Sequence, residues 1–377
     1  MDRRLRVLVT VLLVLAVGLV LKLAQTVIIP LLLAFLLTYV MDPVAVALRR
    51  VVPHWLATVL TALVFLAVLV GVGILALSNL VSLARDFPAY QEGFLSMVTT
   101  ANDWLQTVIG TQLELDLFDQ ISSLPIPGLI LGTARSTLSI AAGFGLIYLF
   151  AVLLLASKRH LPRKITRVLP PAALGQSEGR LISLATIRAI DTSLRRYMGI
   201  KTLISATIGA GTGVVVWLFG VSFPFVWGLL TFVLNFIPSL GSIIAIAVVF
   251  LFSLAQFGDL GYAVWILLVL LLLQLATGSV VEPALVGDTL NLSLLVVFVS
   301  LLFWGWLWGP AGILLAVPMT EVVKLTLKSL PSTARFVGLL ESARPRRPLL
   351  RRRGRRGRRG RAERAEAPPP TARPRGW

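Results

Sequence analysis

The stretch from Leu260 to Leu327 constrains the fold of this chain more than any other feature. It contains apolar runs of about the 20 residues that a helix needs to cross the hydrocarbon core of a bilayer. Glu282, directly before Pro283, lies between these runs. An ionisable group at membrane depth is costly, and a helix break there is tolerated only where the freed backbone faces protein or water. These features indicate a membrane-spanning chain with a functional site at Glu282 and Pro283.

Composition favours a membrane protein over a soluble one. Of the 377 residues, 57% are hydrophobic and 14% are charged, whereas soluble domains carry roughly 25% charged residues. Cysteine is absent, which excludes disulfides and thiolate metal sites, and the two histidines lie far apart in the sequence. Because no P-loop or hydrolase signature occurs either, we expect no cofactor, no metal site and no enzymatic activity.

The hydropathy pattern predicts an all-α polytopic membrane protein with about eight hydrophobic segments, at least one of them broken or re-entrant. The segments lie near residues 5–24, 27–41, 55–80, 137–156, 202–219, 224–253, 260–280 and 292–327. Between the first two we expect a helical hairpin that turns near Gln25–Pro30. A secretory signal peptide is the alternative for residues 1–24, but no cleavage site of small residues follows them.

Charge and composition divide the chain into six regions. They are an N-terminal transmembrane hairpin and third span (1–80), an extracytoplasmic amphipathic subdomain (81–132), a span (133–157), a basic cytoplasmic amphipathic helix (158–201), a transmembrane core with broken helices (202–330) and a cytoplasmic Arg-rich disordered tail (331–377). The second region has a net charge of −5 and the fourth one of +8. Because cytoplasmic loops are rich in Lys and Arg, we expect a multi-pass protein of the cell (inner) membrane with both termini in the cytoplasm.

Two segments are too long and too interrupted to be single regular helices. One contains N-F-I-P-S-L-G at Asn235–Gly241, and the other contains W-G-W-L-W-G-P at Trp304–Pro310. Interrupted hydrophobic segments are the best sequence indication of a transporter binding site. The candidate residues of a solute or ion pathway are therefore Asn235, Pro238, Ser239 and Gly241 in the first break, Gln274 within a span, and Glu282, Pro283 and Asp288 between spans.

Most of these candidates also have a purely structural interpretation. Glu282 is either a proton or solute ligand or an interfacial carboxylate at a helix end. Asp288 is more simply a loop acid or a helix N-cap. Asn235 and Ser239 either line a polar break or satisfy the carbonyls that the neighbouring proline frees. Gln274 faces a solute or bonds a neighbouring helix.

Three further patterns predict packing or interfacial roles. Close helix contacts are expected at Gly209, Gly211 and Gly213, and at the pair Gly305 and Gly309. An interfacial aromatic belt, in preference to ligand stacking, is expected at Trp304, Trp306 and Trp308. A surface ion pair with snorkelling lysines is expected at Glu321, Lys324 and Lys328.

Several motifs along the chain belong together. They are P-L-L-L-A-F at 30–35 with Asp42-Pro43, R-R-Y at 195–197, W-x-x-G-V-x-x-P-x-x-W-G at 217–228, the N-F-I-P-S-L-G break, E-P-x-L-V-G at 282–287, and the tryptophan- and glycine-rich run at 292–312. In combination they resemble the autoinducer-2 exporter family of predicted permeases. The resemblance covers roughly residues 5–340 and is weakest in residues 81–132.

This resemblance implies a secondary transporter in the lipid bilayer that exports a small polar solute similar to autoinducer-2, with proton coupling as one form. It also implies a homo-oligomer. Other members of the family are described as sodium(lithium)/proton antiporters, which is the alternative function. Many relatives carry an acid-amide pair shortly after the glutamine of the penultimate span, whereas here Gln274 precedes L-A-T-G-S. That departure argues against cation exchange.

The C-terminal tail accounts for most of the chain's positive charge. From Arg344 onwards it contains 14 arginines and two glutamates, which is +12 of the net +18. Such a segment is expected to be disordered. A compositional bias without any partner is the favoured interpretation, and anionic lipid is the candidate partner, with nucleic acid as the alternative. A non-transporting scaffold that acts through this tail is the second function hypothesis.

Overall fold

The computed structural model of the chain describes residues 3–109, 132, 137–157, 184–281 and 292–329. Within these ranges the regular structure is entirely helical. The helices are α1 (Arg3–Leu23), α2 (Gln25–Leu48), α3 (His54–Ile109), α4 (Thr137–Ser157), α5 (Leu184–Leu218), α6 (Pro224–Leu234), α7 (Leu240–Phe257), α8 (Leu260–Leu275) with a π-helical turn (Ala276–Val281), and α9 (Leu294–Ser329). Six helices in the described ranges are long and apolar enough to cross a membrane. The predicted class, an all-α polytopic membrane protein, is confirmed.

The junction of α1 and α2 differs from the prediction. Ala24 is the one residue between them, with φ −86° and ψ 7°. Helical hydrogen bonds flank it on both sides, from Ala24 N to Val20 O and from Ile28 N to Ala24 O, each at 2.9 Å. The turn predicted at Gln25–Pro30 is wrong, because these residues already form the first turns of α2. One non-helical residue kinks a helix but is shorter than the two or more residues that connect antiparallel helices.

α3 is the longest element, and its 56 residues rise about 84 Å at 1.5 Å per residue. It crosses the predicted boundary between residues 80 and 81 without interruption. Just beyond that point Leu83 and Ala84 are buried, and the ring of Tyr90 lies 4.8 Å from that of Phe252 on α7. This part of α3 therefore packs against the bundle. The extracytoplasmic location of residues 81–132 remains a prediction.

α6 and α7 form an antiparallel hairpin. The rings of Trp227 on α6 and Phe252 on α7 lie 4.7 Å apart. At the same end Gln256 accepts a hydrogen bond from Ser222 N and donates one to Gly220 O. The 11 residues of α6 rise only about 16 Å, roughly half of a hydrocarbon core of about 30 Å. The hairpin therefore turns back partway through the bundle, which confirms a broken or re-entrant segment.

α9 is also folded back on itself. Gly309 leaves helical geometry with φ 62° and ψ −144°. Trp304 Nε1 then donates to Thr320 Oγ1 at 3.2 Å, although 16 residues separate them, a distance of about 24 Å along a straight helix. Two antiparallel arms result, residues 294–308 and 310–329. Gly309 serves as the turn because residues with a side chain rarely adopt its positive φ.

The α9 hairpin corrects the predicted aromatic belt. Trp304 and Trp308 are buried in an apolar cluster with Tyr39 of α2 and Leu194 of α5. Of the three tryptophans in the predicted belt, only Trp306 is exposed. The belt is wrong for two of the three tryptophans, because the fold-back turns their faces toward the second arm and the core.

α5 is the central helix and packs against α2, α6, α8 and α9. Its buried residues recur every three or four positions and are Leu194, Tyr197, Met198, Lys201, Ile204, Ser205, Ile208, Thr212 and Val216. A Cβ on Gly209 would lie 2.7 Å from Gly228 O, and one on Gly213 would lie 3.4 Å from Pro224 O. The backbones of α5 and α6 thus touch directly. A Cβ on Gly211 would lie 3.0 Å from Leu273 of α8, so the close contacts predicted for the three glycines are confirmed.

Gly312→Ala tests the α9 hairpin. A Cβ at this position would overlap the carbonyl oxygen of Trp304 and lie 3.0 Å from Trp308 Cβ. We expect overpacking to cost about 1–3 kcal/mol of folding free energy and to lower the thermal unfolding midpoint in mild detergent. Gly143→Ala on the exposed side of α4, where a Cβ meets nothing within 4 Å, is the matched control and should leave the midpoint equal or higher. Equal midpoints for both variants would contradict the fold-back.

Candidate functional site

The hairpin tip, residues Asn235–Gly241, reaches the central helix. Asn235 Nδ2 donates to Ser205 Oγ of α5 at 2.9 Å. Both residues are buried, with 4% of Asn235 and 0% of Ser205 exposed. The amide nitrogen of Asn235 therefore bonds to another helix and not to a nearby backbone carbonyl. Polar groups that bond to each other in a buried site are also groups that a polar solute can engage.

The backbone of the hairpin tip turns sharply between α6 and α7. Ser239 has φ 62° and ψ −51°, and Leu240 N donates to Pro238 O at 2.7 Å. This is a γ-turn of the rare, strained hand. A Cβ on Gly241 would overlap the carbonyl of Leu234 at the end of α6. Pro238, Ser239 and Gly241 thus build the turn, and Asn235 supplies its buried polar side chain.

Gln274 lies apart from the hairpin tip. It is half-buried near the end of α8, and among the described residues no hydrogen bond or ion pair joins it to residues 235–241. The π-helical turn that follows places Thr277 Oγ1 2.8 Å from Leu273 O. Such π-turns occur frequently at functional sites. The turn ends at Val281, and the predicted site residues Glu282, Pro283 and Asp288 lie outside the described residues.

An inner ion network joins α2 to the basic end of α5. We use this name for Tyr39, Asp42, Asp191 and Arg195. Arg195 Nη1 lies 2.8 Å from Asp42 Oδ2, and Tyr39 Oη donates to Asp191 Oδ1 at 2.8 Å. Arg195 Nη2 and Asp191 Oδ2 form the i,i+4 pair at 3.6 Å. Only 3% of the Asp42 side chain is exposed, against 45% of Arg195. Two of the sequence motifs, Asp42-Pro43 and R-R-Y, therefore meet in space.

Sequence reasoning missed this network. Asp42 and Arg195 belong to two separate motifs, Asp42-Pro43 and R-R-Y, and nothing in the sequence pattern pairs them. The available signal was an acid inside an apolar run, which is costly unless it has a partner. The sequence did not indicate which of the many arginines supplies that partner.

Further charges are buried on α5 and α9. Lys324 Nζ lies 2.7 Å from Glu321 Oε2, and both side chains are buried. The predicted ion pair is confirmed, but its predicted surface location is wrong, because the α9 fold-back turns its second arm into the core. Lys201 of α5 is buried as well. Lys and Glu are almost never fully buried unless they are paired, and at membrane depth they mark functional sites.

Three polar residues of α5, the partly exposed Asp191 and the buried Ser205 and Thr212, share one face of the helix with the buried Met198. Asp191, Met198, Ser205 and Thr212 are spaced by seven residues, which places them on one side of an α-helix. Lys201, one turn from Ser205, lies close to the same side. We call this set the α5 polar face. It extends from the inner ion network to the hairpin tip and beyond.

The chemistry of this arrangement favours binding of a polar solute over metal chemistry. The α5 polar face and the hairpin tip offer a hydroxyl, an amide, an ammonium group and a carboxylate. Within the described ranges no three His, Asp or Glu side chains are grouped to hold a metal ion. The hydroxyl and amide groups exchange hydrogen bonds with a solute without any change in their own charge.

Comparison with known proteins decides the family. The AI-2E family transporter family matches residues 8–332. The chain belongs to this family. Its polytopic helical fold, its interrupted helices and its intramembrane polar groups are those of a transporter, and the family resemblance of the sequence motifs is confirmed.

Curated relatives carry the same description. A putative transport protein of Haemophilus influenzae is 31% identical over 338 residues, which is 85% of this chain and 91% of that protein. The AI-2 transport protein TqsA of Escherichia coli is 33% identical over 310 residues, 81% of this chain and 87% of TqsA. The putative transport protein YhhT of Escherichia coli is 29% identical over 86% of this chain and 90% of YhhT. The AI-2E family chain described here is therefore a multi-pass membrane transporter.

A double-mutant cycle tests the bond between Asn235 and Ser205. Asn235→Ala and Ser205→Ala remove the two partners singly and together. We expect a coupling free energy of about 0.5–1.5 kcal/mol, since the two groups share one buried hydrogen bond. Denaturant unfolding in mild detergent measures it. Asn79→Ala, which removes an exposed amide bonded to Leu75 O, is the matched control and should combine additively with Ser205→Ala. Additivity in both cycles would contradict the contact.

Proposed function

We propose that this transporter exports a small polar solute of the autoinducer-2 type, and that the hairpin tip and the α5 polar face line its path. The observation that carries the proposal is the buried bond between Asn235 and Ser205 at the tip of a hairpin that turns back partway through the bundle. Interrupted helices that meet near the middle of the bilayer are where secondary transporters bind their substrates. One relative is named an AI-2 transport protein, which supports the solute class.

The proposed binding step is an exchange of hydrogen bonds. A hydroxylated solute accepts from Asn235 Nδ2 and donates to Ser205 Oγ, in place of the bond that these residues make with each other. The C-terminal end of α6 and the N-terminal end of α7 meet at the hairpin tip, so partial charges of both signs lie within one turn of the solute. Such a site holds a neutral polar molecule without a dedicated charge.

Glu282 is the proposed coupling residue. In the sequence it directly follows the π-helical turn, and Gln274 of α8 lies eight residues before it. A carboxyl at a helix break in a membrane can take up a proton on one side and release it on the other as the cavity alternates. We propose that Pro283 shapes this break and that Asp288 flanks it.

The proposed setting is the cell (inner) membrane with both termini in the cytoplasm. Arg49 and Arg50 at the end of α2 and Arg188, Arg195 and Arg196 near the start of α5 support a cytoplasmic location for that end of the bundle. We retain the homo-oligomer and the lipid contact of the Arg-rich tail as proposals.

Transport in liposomes tests the proposed path. The purified protein is reconstituted, and uptake of autoinducer-2 into inverted vesicles is followed with and without imposed pH and sodium gradients. We expect Asn235→Leu, which keeps the side-chain size but removes its hydrogen bonds, to lower the flux about tenfold. Asn79→Ala is the control. Wild-type flux for Asn235→Leu would assign the hairpin tip to packing alone. Flux of sodium instead of solute would favour the antiporter, and loss of flux on deletion of residues 344–377 would favour a function centred on the tail.

Glu282→Gln tests the coupling separately. The amide keeps the size and polarity of the carboxyl group but does not titrate. We expect the pH-driven component of uptake to be lost while the amount of protein in the membrane is unchanged. Uptake at the wild-type rate and with the wild-type pH dependence, in both Glu282→Gln and Glu282→Ala, would make this residue a helix-end carboxylate without a role in coupling.

A further inference from the structure

In the described residues, two polar side-chain contacts cross the seam between α2 and α5, beside a buried apolar cluster to which both helices contribute. Tyr39 of α2 donates to Asp191 of α5, and Asp42 of α2 pairs with Arg195 of α5, each at 2.8 Å. If the two helices separate, both contacts must break. These contacts lie at the end of the bundle where Arg49 and Arg50 close α2.

We propose that the inner ion network is a gate, closed in this structure, which opens to connect the basic end of the bundle with the α5 polar face. The proposal rests on the proposed function, because it places a gate on the path that leads to the hairpin tip. It adds Tyr39, Asp42, Asp191 and Arg195 to the residues that control transport.

The position of the network on α5 supports this role. Asp191 and Ser205 lie on the same face of the helix and are 14 residues apart, which is about 21 Å. Met198 lies midway between them on that face and is buried. Since Ser205 and Asn235 are buried too, no solute reaches them until a seam opens. The seam between α2 and α5 begins at Asp191, at the end of the α5 polar face that is partly exposed.

The exposure of the partners suits a contact that opens and closes. The side chains of Arg195 and Asp191 are 45% and 40% exposed. Water and salt compete well for such groups, so their bonds add little to folding stability. Two side chains that held the helices together permanently would both be expected to be buried. Here one side of each contact already touches solvent.

Asp42 links the ion pair to hydration of the seam. Its side chain is 3% exposed, and a buried carboxylate that loses a cationic partner is less stable unless water hydrates it. Loss of the Arg195 contact therefore favours entry of water between α2 and α5.

Cysteine labelling tests the gate independently of transport. The chain has no native cysteine, so Ser205→Cys introduces a single reporter on the α5 polar face. The full-length protein is placed in vesicles with the basic end outward and treated with a small membrane-impermeant methanethiosulfonate. We expect slow labelling in this background and labelling about tenfold faster after Arg195→Gln, which removes the guanidinium that pairs with Asp42. Tyr39→Phe should give a smaller increase.

Two controls separate a gate from damage to the fold. Arg196→Gln removes the neighbouring exposed arginine and should label like the parent. Arg195→Lys retains a cation beside Asp42 and should restore slow labelling. The thermal unfolding midpoint of each variant identifies any that has unfolded. Equal labelling rates for Arg195→Gln, Arg195→Lys and Arg196→Gln would overturn the gate.

The same variants keep the gate and the proposed function distinguishable. If Asn235→Leu lowers uptake of autoinducer-2 while Arg195→Gln changes neither labelling nor uptake, the solute path stands and the gate is wrong. If no variant transports the solute but Arg195→Gln still accelerates labelling, the gate stands and the proposed solute is wrong. Unchanged labelling and unchanged uptake in all variants would overturn both.

Discussion

A chain that turns inside hydrocarbon must satisfy every backbone group that the turn frees, because no water is present to do so. Within the described residues, two sharp turns join apolar helical segments, at residues 235–241 and at Gly309. In the first, Leu240 N and Gly241 N bond back to carbonyls of the turn itself. In the second, the indole of Trp304 reaches across the fold-back to Thr320. Both turns also exclude side chains, with Gly241 and Gly312 at the closest approaches.

These turns place polar groups where straight helices would not. The first brings Asn235 beside Ser205, and the second turns Glu321 and Lys324 into the core. The apolar packing around them keeps this arrangement specific. Phe236 and Ile237 of the hairpin tip contact the same cluster that holds Trp304 and Trp308. The two hairpins thus pack on one another through apolar side chains, while their polar groups face α5 or each other.

Local periodicity predicted the helices and the positions of the breaks well. N-F-I-P-S-L-G and W-G-W-L-W-G-P each interrupt a long apolar run with glycine and proline, and both mark real turns. The prediction for the junction of α1 and α2 was wrong, because it took a proline as the sign of a turn. Pro30 suggested a turn, but the break is at Ala24, a residue without any turn preference. Proline within a helix is tolerated where neighbouring structure compensates for the lost hydrogen bond.

Pairings between distant helices could not be read from the sequence. Asp42 and Arg195 are separated by more than 150 residues, and several arginines near Arg195 have equal claims by spacing alone. The burial of Glu321 and Lys324 could not be predicted from the sequence either. They occupy an ordinary i,i+3 surface pattern, and only the fold-back at Gly309 takes them into the core. Tertiary packing decides which charges are paired and which are exposed.

The contact between α5 and α6 has a mechanical consequence. Gly209, Gly213 and Gly228 bring the two backbones together, with Phe232 Cβ packed against Gly209. A side chain larger than hydrogen at Gly209 or Gly228 would force the helices apart. Such a substitution would move α6, and with it the position of Asn235 relative to Ser205.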